Sequence, residues 1–465
     1  MSAVPAPPAH LPLLAGHASL DEPLAWRAGQ SLSRRRFLQD LQRLAPALPQ
    51  GGPVLPMTAD RYRFALALGA AIARGQAALM PPNHTPDMVR RLKALFPAAY
   101  VLADAGQPQL ALPTLAYPEA LDAVPDAAPG EELAMPCVAA SHEVAQVLTS
   151  GSTGDPVPHG KRWGELAANI AAEAQRIAET LGRADLRGVT VVGTVPAHHM
   201  YGFESTVLIA LLGGAAFAAE RPFFAQDIAR VLASVPRPRV LVTTPLHLKT
   251  LLDDGVAVPQ VDLVVSATAA LSPQLAARAE QALAAPLMEI YGCTEAGQVA
   301  TRRTTQAPEW RTFRGLVLSG DGGQSWVSGG HVPEPTRLAD VLEVLEPTRF
   351  RLLGRSNDLI NVAGKRSSLA HLDHHLNSID GVRDGAFWLP PQGGGEEVVR
   401  LVALVVAPGL DRRALLAALR ERVDAAFLPR RILRVDALPR DPTGKLPSGR
   451  LAALATQLLA ESGHD

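Results

Sequence analysis

A chain of 465 residues is long enough for two or three domains. With 47% hydrophobic residues, 19% charged residues and a net charge of −1, the composition is that of a globular protein. It excludes a dedicated nucleic-acid binder or a polybasic membrane protein. The longest apolar stretch, residues 207–219, runs for 13 residues with two glycines inside, so no membrane span is expected. The N-terminus lacks a basic segment followed by an apolar one, and the chain has only two cysteines, Cys137 and Cys293. Both features lead to the expectation of a cytoplasmic protein.

Residues 1–20 are rich in Pro and Ala and read as a loose leader. Apolar residues recur at helical spacing over 31–44 and 61–74. A short strand at 77–80, a helix at 86–96 and a strand at 99–103 follow. The apolar run 144–148 feeds Thr149-Ser150-Gly151-Ser152-Thr153-Gly154-Asp155-Pro156, a loop of small hydroxyl residues and glycines. Such a loop offers backbone N–H groups and hydroxyls to a polyphosphate with no bulky side chain in the way, although no Gly-Lys-Ser/Thr closes it as in a P-loop. Read alone, it also fits a flexible surface loop.

Residues 163–181 form an amphipathic helix, and 189–195, 240–243, 262–266 and 287–290 read as buried strands separated by helices at 222–233 and 273–284. Strands alternating with helices predict an α/β fold, with parallel sheets flanked by helices. Ligands in such folds sit at loops after the C-terminal ends of strands. From about residue 301 to 354 short strands with Gly/Asp turns (315–318, 324–328, 349–353) predict a small β subdomain. The last part, with a helix at 370–379, strands at 398–406 and 431–436 and helices at 412–427 and 448–459, is large enough for an α+β domain of its own.

The loops after strands carry one ordered set of motifs. The Ser/Thr/Gly loop is followed by Pro196-Ala197-His198-His199-Met200-Tyr201-Gly202 and Tyr291-Gly292-Cys293-Thr294-Glu295. Asp340 comes next, then Gly354-Arg355-Ser356-Asn357-Asp358-Leu359-Ile360, and last Pro442-Thr443-Gly444-Lys445. In this order and spacing the chain, from about residue 60 to 455, resembles the acyl-adenylate-forming (AMP-binding) enzymes: acyl-CoA synthetases, peptide-synthetase adenylation domains and luciferases. It is most similar in plan to compact bacterial acyl- or aryl-CoA, or acyl-carrier-protein, ligases.

The resemblance implies a large N-terminal domain over 21–354, a hinge at 355–358 centred on Asn357, and a small mobile C-terminal lid over 359–465. It implies ATP and Mg²⁺ as cofactors, a small carboxylic acid (fatty or aromatic) as substrate, and CoA or a phosphopantetheinyl carrier protein as acceptor. Thr149, Ser150, Gly151, Ser152, Thr153 and Gly154 would contact phosphates. Tyr291 and Gly292 would face the adenine, Thr294 a phosphate, and Glu295 the metal ion. Asp340 would take both ribose hydroxyls, since a carboxylate accepts from two vicinal donors at once, and Arg355, 15 residues on, would join it. Lys445 and His199 would act at the reacting carboxylate. Tyr201, Gly202, Ser266, Ala267 and Thr268 would line the acyl pocket, and Gly364 and Lys365 the thiol channel.

Two features depart from the family pattern. The lysine usual after the loop's proline is Val157 here, which leaves Lys161 or Lys445 to make that phosphate contact. Asn357 replaces the usual hinge Asp or Lys. The absence of an aspartate near His199 disfavours an α-amino acid substrate. His371, His374 and His375 stand at i, i+3 and i+4 and read as a solvated helix face rather than a zinc site. The expected function is a two-step ligase. A catalytically impaired relative that senses nucleotide or acyl ligand is the alternative, and a luciferase-like oxygenase is a more remote one.

Overall fold

The computed structural model describes residues 8–118, 133–150, 156–320, 324–355, 359–362, 365–390, 401–441, 444 and 446–461. Its centre is an eleven-stranded sheet whose interior strands are parallel. Thr190–Gly193, Arg239–Thr243, Leu263–Ser266 and Leu287–Cys293 lie side by side in that order. Their near-continuous apolar runs are explained by burial on both faces. Val240, Val242, Leu263 and Val265 face a core shared with the helices Arg61–Ala73 and Trp163–Thr180. Leu241, Val264 and Leu287 face the helices Ala225–Ser234, Pro245–Asp253 and Pro273–Leu283. Antiparallel strands Gly297–Arg302, Trp310–Thr312, Arg349–Arg355 and Asp340–Glu346 extend one edge.

A second, six-stranded sheet is built on Val54–Met57, Ala78–Met80 and Tyr100–Ala103. It ends in an antiparallel hairpin, Glu143–Ser150 with Pro156–Arg162. Buried Arg61 at the start of its helix donates to the carbonyls of Glu220 (2.6 Å), Gly193 (2.5 Å) and Val195 (2.6 Å). Those bonds fix the end of a central strand and the loop that carries His198 and His199.

The expected elements are present with shifted ends, and two expectations need correcting. The leader is not loose throughout: His10–Pro12 pairs with Cys137–Ala139, and Leu13 and Leu14 are fully buried. The helix expected over 412–427 stops at Arg420, after which Asp424 caps a separate short turn, Ala425–Phe427. The C-terminal unit packs the strands Asp384–Trp388, Val402–Val406 and Arg431–Arg434 against helices through Leu372, Leu376, Phe387, Val405 and Leu419. No described helix is long and apolar enough to cross a membrane.

Candidate active site

Thr149 and Ser150, which open the hydroxyl-rich stretch, end one strand of the edge hairpin, and Pro156 begins the other. Ser150 opposes Pro156 and Thr149 opposes Val157. Thr149 Oγ1 is 3.0 Å from His159 Nε2, a cross-hairpin bond that holds the hydroxyl in place. Val157 is 44% exposed, so the missing lysine leaves an apolar group at the surface there. Gly151, Ser152, Thr153 and Gly154 lie outside the described residues.

Lys161 shares a strand face with Val157 and His159, about 13 Å further from the tip. It is buried, and its Nζ donates to the carbonyl of Thr294. Burial lowers its pKa, while Glu204, Cys293, Glu295 and Glu165 pull it up. The lysine is therefore spent beneath the Thr294–Glu295 turn. We predict that Lys161→Met raises the apparent KM for MgATP roughly 10-fold, as loss of a charged hydrogen bond worth about 1.5–3 kcal/mol would. Steady-state kinetics at saturating acid reads this, and an unchanged KM would show that the turn holds without it.

That turn joins Leu287–Cys293 to Gly297–Arg302. Thr294 is half-buried and Glu295 exposed. Gly292 is required here: a Cβ would lie 2.4 Å from the Gly297 carbonyl oxygen. Among the described residues no group of three or more His, Cys, Asp or Glu is placed to hold a metal ion. One exposed carboxylate beside a hydroxyl fits a Mg²⁺ that completes its shell with substrate phosphates and water.

Tyr291 and Asp340 are brought together: the phenol donates to Asp340 Oδ2 at 2.8 Å. The Tyr291 ring is buried against Trp310 and Phe350, with centroids 5.8 and 5.6 Å away. Asp340 opposes Arg355 in register, so carboxylate and arginine positions share one end of a hairpin. Tyr291, Trp310, Phe350 and Asp340 come from four separate strands, which is how a packed aromatic corner can position a carboxylate.

His199 precedes the helical turn Met200–Gly202, which continues as a π-turn over Phe203–Leu208. Such turns concentrate at functional sites. Neighbouring His198 lies 6.0 Å from the His84 ring. Burial pushes its pKa down to about 4, with His84, Arg221 and His199 adding to the effect, so it is neutral at pH 7. Tyr201 is buried and donates to the Val265 carbonyl (2.9 Å). Gly202 admits no side chain, since a Cβ would sit 2.0 Å from the Pro196 carbonyl oxygen.

Ser266 ends the strand Leu263–Ser266 and is fully buried. It opposes Thr243 and shares the face of Val264, which packs on helices, whereas Val265 and Tyr201 belong to the other face. Strand alternation thus separates Ser266 from Tyr201. Ala267 is buried, and Thr268 holds φ 79°, a strained value for a β-branched residue in a loop at a strand end.

Asn357, Gly364 and Lys445 lie outside the described residues, and Lys365 begins a strand paired with Leu359–Val362. Gly444 is described: at φ 83° a Cβ would come within 3.2 Å of Leu246, at the start of the helix Pro245–Asp253 of the large domain. Arg440, paired with Asp384 at 2.8 Å, also donates to the Gly444 carbonyl (3.0 Å).

Sequence reasoning missed a buried polar group next to the turn: Asn169, Glu173, Glu204, Ser205, Gln298 and His331. Asn169 Nδ2 donates to Glu204 Oε1. Burial, with Glu173 nearby, raises the Glu204 pKa to about 8. The available signal was Glu204 itself, an acid three residues before the apolar run 207–219.

The profile of a family described as AMP-binding enzyme matches residues 18–321. A 4-coumarate–CoA ligase from Rhodobacter capsulatus is 33% identical over 292 residues, covering 62% of this chain and 71% of that protein. One from Halorhodospira halophila is 29% identical over 317 residues, covering 64% and 73%. ATP-bound MatB from Rhodopseudomonas palustris superposes with a TM-score of 0.77 at 17% identity, over 95% of this chain and 97% of that one, a likeness of fold. The chain belongs to the AMP-binding enzyme family and is an acid–thiol ligase of that family, activating a carboxylic acid as an acyl-adenylate before passing it to a thiol.

Proposed function

We propose that the acid is an aryl carboxylic acid and that the thiol is coenzyme A. The observation that carries this reading is the likeness to two 4-coumarate–CoA ligases over more than two thirds of their length. In the first step the substrate carboxylate attacks the α-phosphorus of ATP, and pyrophosphate leaves. Two anions meet there, so the residues around them must neutralise charge that builds up in the transition state. Thr149 to Gly154 and Thr294 donate to phosphate oxygens, Asp340 and Arg355 hold the ribose, and Tyr291 and Gly292 flank the base. His199 lies beside the carboxylate, and Lys445 supplies the cation at the reacting oxygens. Mg²⁺, held through Glu295, would offset phosphate charge. In the second step the thiol attacks the mixed anhydride and AMP leaves. Asn357 serves as the hinge between the two steps, and Gly364 and Lys365 border the thiol's path.

Pyrophosphate release from MgATP across benzoates, cinnamates and C4–C12 alkanoic acids tests the acid, with CoA and a phosphopantetheinyl carrier protein as competing acceptors. Release is expected with the aromatic acids, and CoA consumption with it. Faster turnover of alkanoic acids would refute the aryl assignment. Transfer to the carrier protein alone would refute coenzyme A.

A further inference from the structure

A cavity of about 250 Å³ opens beside the far half of the helix Trp163–Thr180. Arg176 of that helix forms one wall, and Arg311 and Arg314, on and just after the strand Trp310–Thr312, form the other. Arg176 is held in place by its surroundings. Its guanidinium donates to Thr301 Oγ1 and to the Thr312 carbonyl (2.9 Å), and it lies over the Phe313 ring, 5.5 Å from the centroid. Burial lowers the Arg176 pKa and the charge of Arg311 lowers it further, whereas Glu179 raises it. Glu179 Oε2 stands 3.7 Å from Arg176 Nε and is the one carboxylate lining the cavity among the described residues. Arg311 and Arg314 are exposed, and among the described residues neither guanidinium has a carboxylate partner. Three guanidinium groups thus face one carboxylate, and like charges gathered in one concavity repel.

Strand register sets this cavity apart from the nucleotide residues. Ile290, Thr301 and Arg311 are partners across successive strands, as are Tyr291, Ala300 and Thr312. Cross-strand partners share a face and neighbours along a strand alternate, so Arg311 occupies the face opposite Tyr291. Arg176 also lies 13 residues beyond Trp163, which follows the edge hairpin, about 20 Å of rise along the helix.

The donor set indicates the ligand. A guanidinium fork matches phosphate oxygens two N–H groups at a time, and the excess of two positive charges matches a phosphate dianion. At about 250 Å³ the cavity is smaller than the ~300–1,000 Å³ usual for drug-sized ligands. It therefore suits a phosphate bearing at most a small organic group, and not a second nucleotide. Arg176, already fixed, gives up little freedom when such an anion binds.

We propose that Arg176, Arg311 and Arg314 form a binding site for a phosphate group, free or as a small monoester, separate from the ATP site. The inference does not depend on which acid is activated or which thiol accepts it.

Isothermal titration calorimetry on the full chain tests this, with the ATP site filled by saturating α,β-methylene-ATP, whose α,β bridge is not cleaved. Inorganic phosphate and phenyl phosphate are the two titrants. Saturable binding of one equivalent is expected. Tighter binding of phenyl phosphate identifies a monoester as the ligand, and tighter binding of inorganic phosphate the free ion. The double variant Arg311→Gln/Arg314→Gln, changed only at exposed positions, should weaken this binding roughly 10–100-fold, with acid-dependent pyrophosphate release unchanged. Glu179→Gln, which removes the opposing carboxylate, should tighten it by about a few-fold. Binding that neither titrant saturates, or that the double variant leaves unaltered, would mean an adventitious ion only and overturn the proposal. Binding seen without the ATP analogue and absent with it would put the phosphate in the nucleotide site and overturn the proposal equally.

Discussion

Replacing Lys445 with alanine is expected to lower acid-dependent pyrophosphate release by on the order of 10²–10³. Removing one charged contact from a water-poor site costs ~2–4 kcal/mol of transition-state stabilisation. Its neighbour Gly444 already abuts Leu246 at the head of a large-domain helix. The Arg440–Asp384 pair, with its bond to the Gly444 carbonyl, braces the same loop from behind. The loss should fall on kcat, since the charge matters most when the phosphorus gains its fifth oxygen. The second step should be spared: a synthetic acyl-adenylate given to Lys445→Ala with CoA should still turn over at near wild-type rate. Release unaffected by the substitution would remove Lys445 from the reaction, and loss of both steps together would make it a structural residue.

How much of this could be read from the sequence depended on how local the signal was. The strands around Val240–Val242 and Val264 were legible because a parallel strand buried on both faces is apolar along its length. The return strand Pro156–Arg162 was not, for the opposite reason. It lies at the edge of its sheet, where two prolines and a run of polar residues are tolerated. Missing that strand also hid the fate of Lys161, which lies on the same strand face as His159 and bonds the Thr294 carbonyl. The pairing of His10–Pro12 with Cys137–Ala139 joins segments more than a hundred residues apart, and nothing local announces it. Ordered motifs located Tyr291 and Asp340, yet their hydrogen bond emerged only from the fold. Glu173 had the plainest disguise. Among alanines on an amphipathic helix it passes for a solvated residue, and only the packing of the π-turn and the hairpin over it makes it a buried one.

Replacing Asp340 with alanine is expected to raise the KM for ATP by roughly 10²-fold with a smaller change in kcat. Charged hydrogen bonds are worth about 1.5–3 kcal/mol each, and part of that is recovered when water replaces the carboxylate. The structure shows what holds this carboxylate in one orientation. Tyr291 occupies one lobe of Asp340 Oδ2 at 2.8 Å and is itself wedged by Trp310 and Phe350, so the carboxylate is oriented before any ligand arrives. Orienting a group in advance avoids the entropy of ordering it during binding. Deoxy analogues of ATP separate this role from a general disturbance of the hairpin. In the wild type, 2′-deoxy- and 3′-deoxy-ATP should each bind several-fold more weakly than ATP. In Asp340→Ala the three nucleotides should bind alike, because the partner for both hydroxyls has gone. Tyr291→Phe should fall between, keeping the discrimination but weakening all three, since it loosens the carboxylate without removing it. If Asp340→Ala still distinguishes ATP from its deoxy analogues, another residue holds the ribose, and the pairing of Asp340 with the Arg355 position is a matter of hairpin architecture alone.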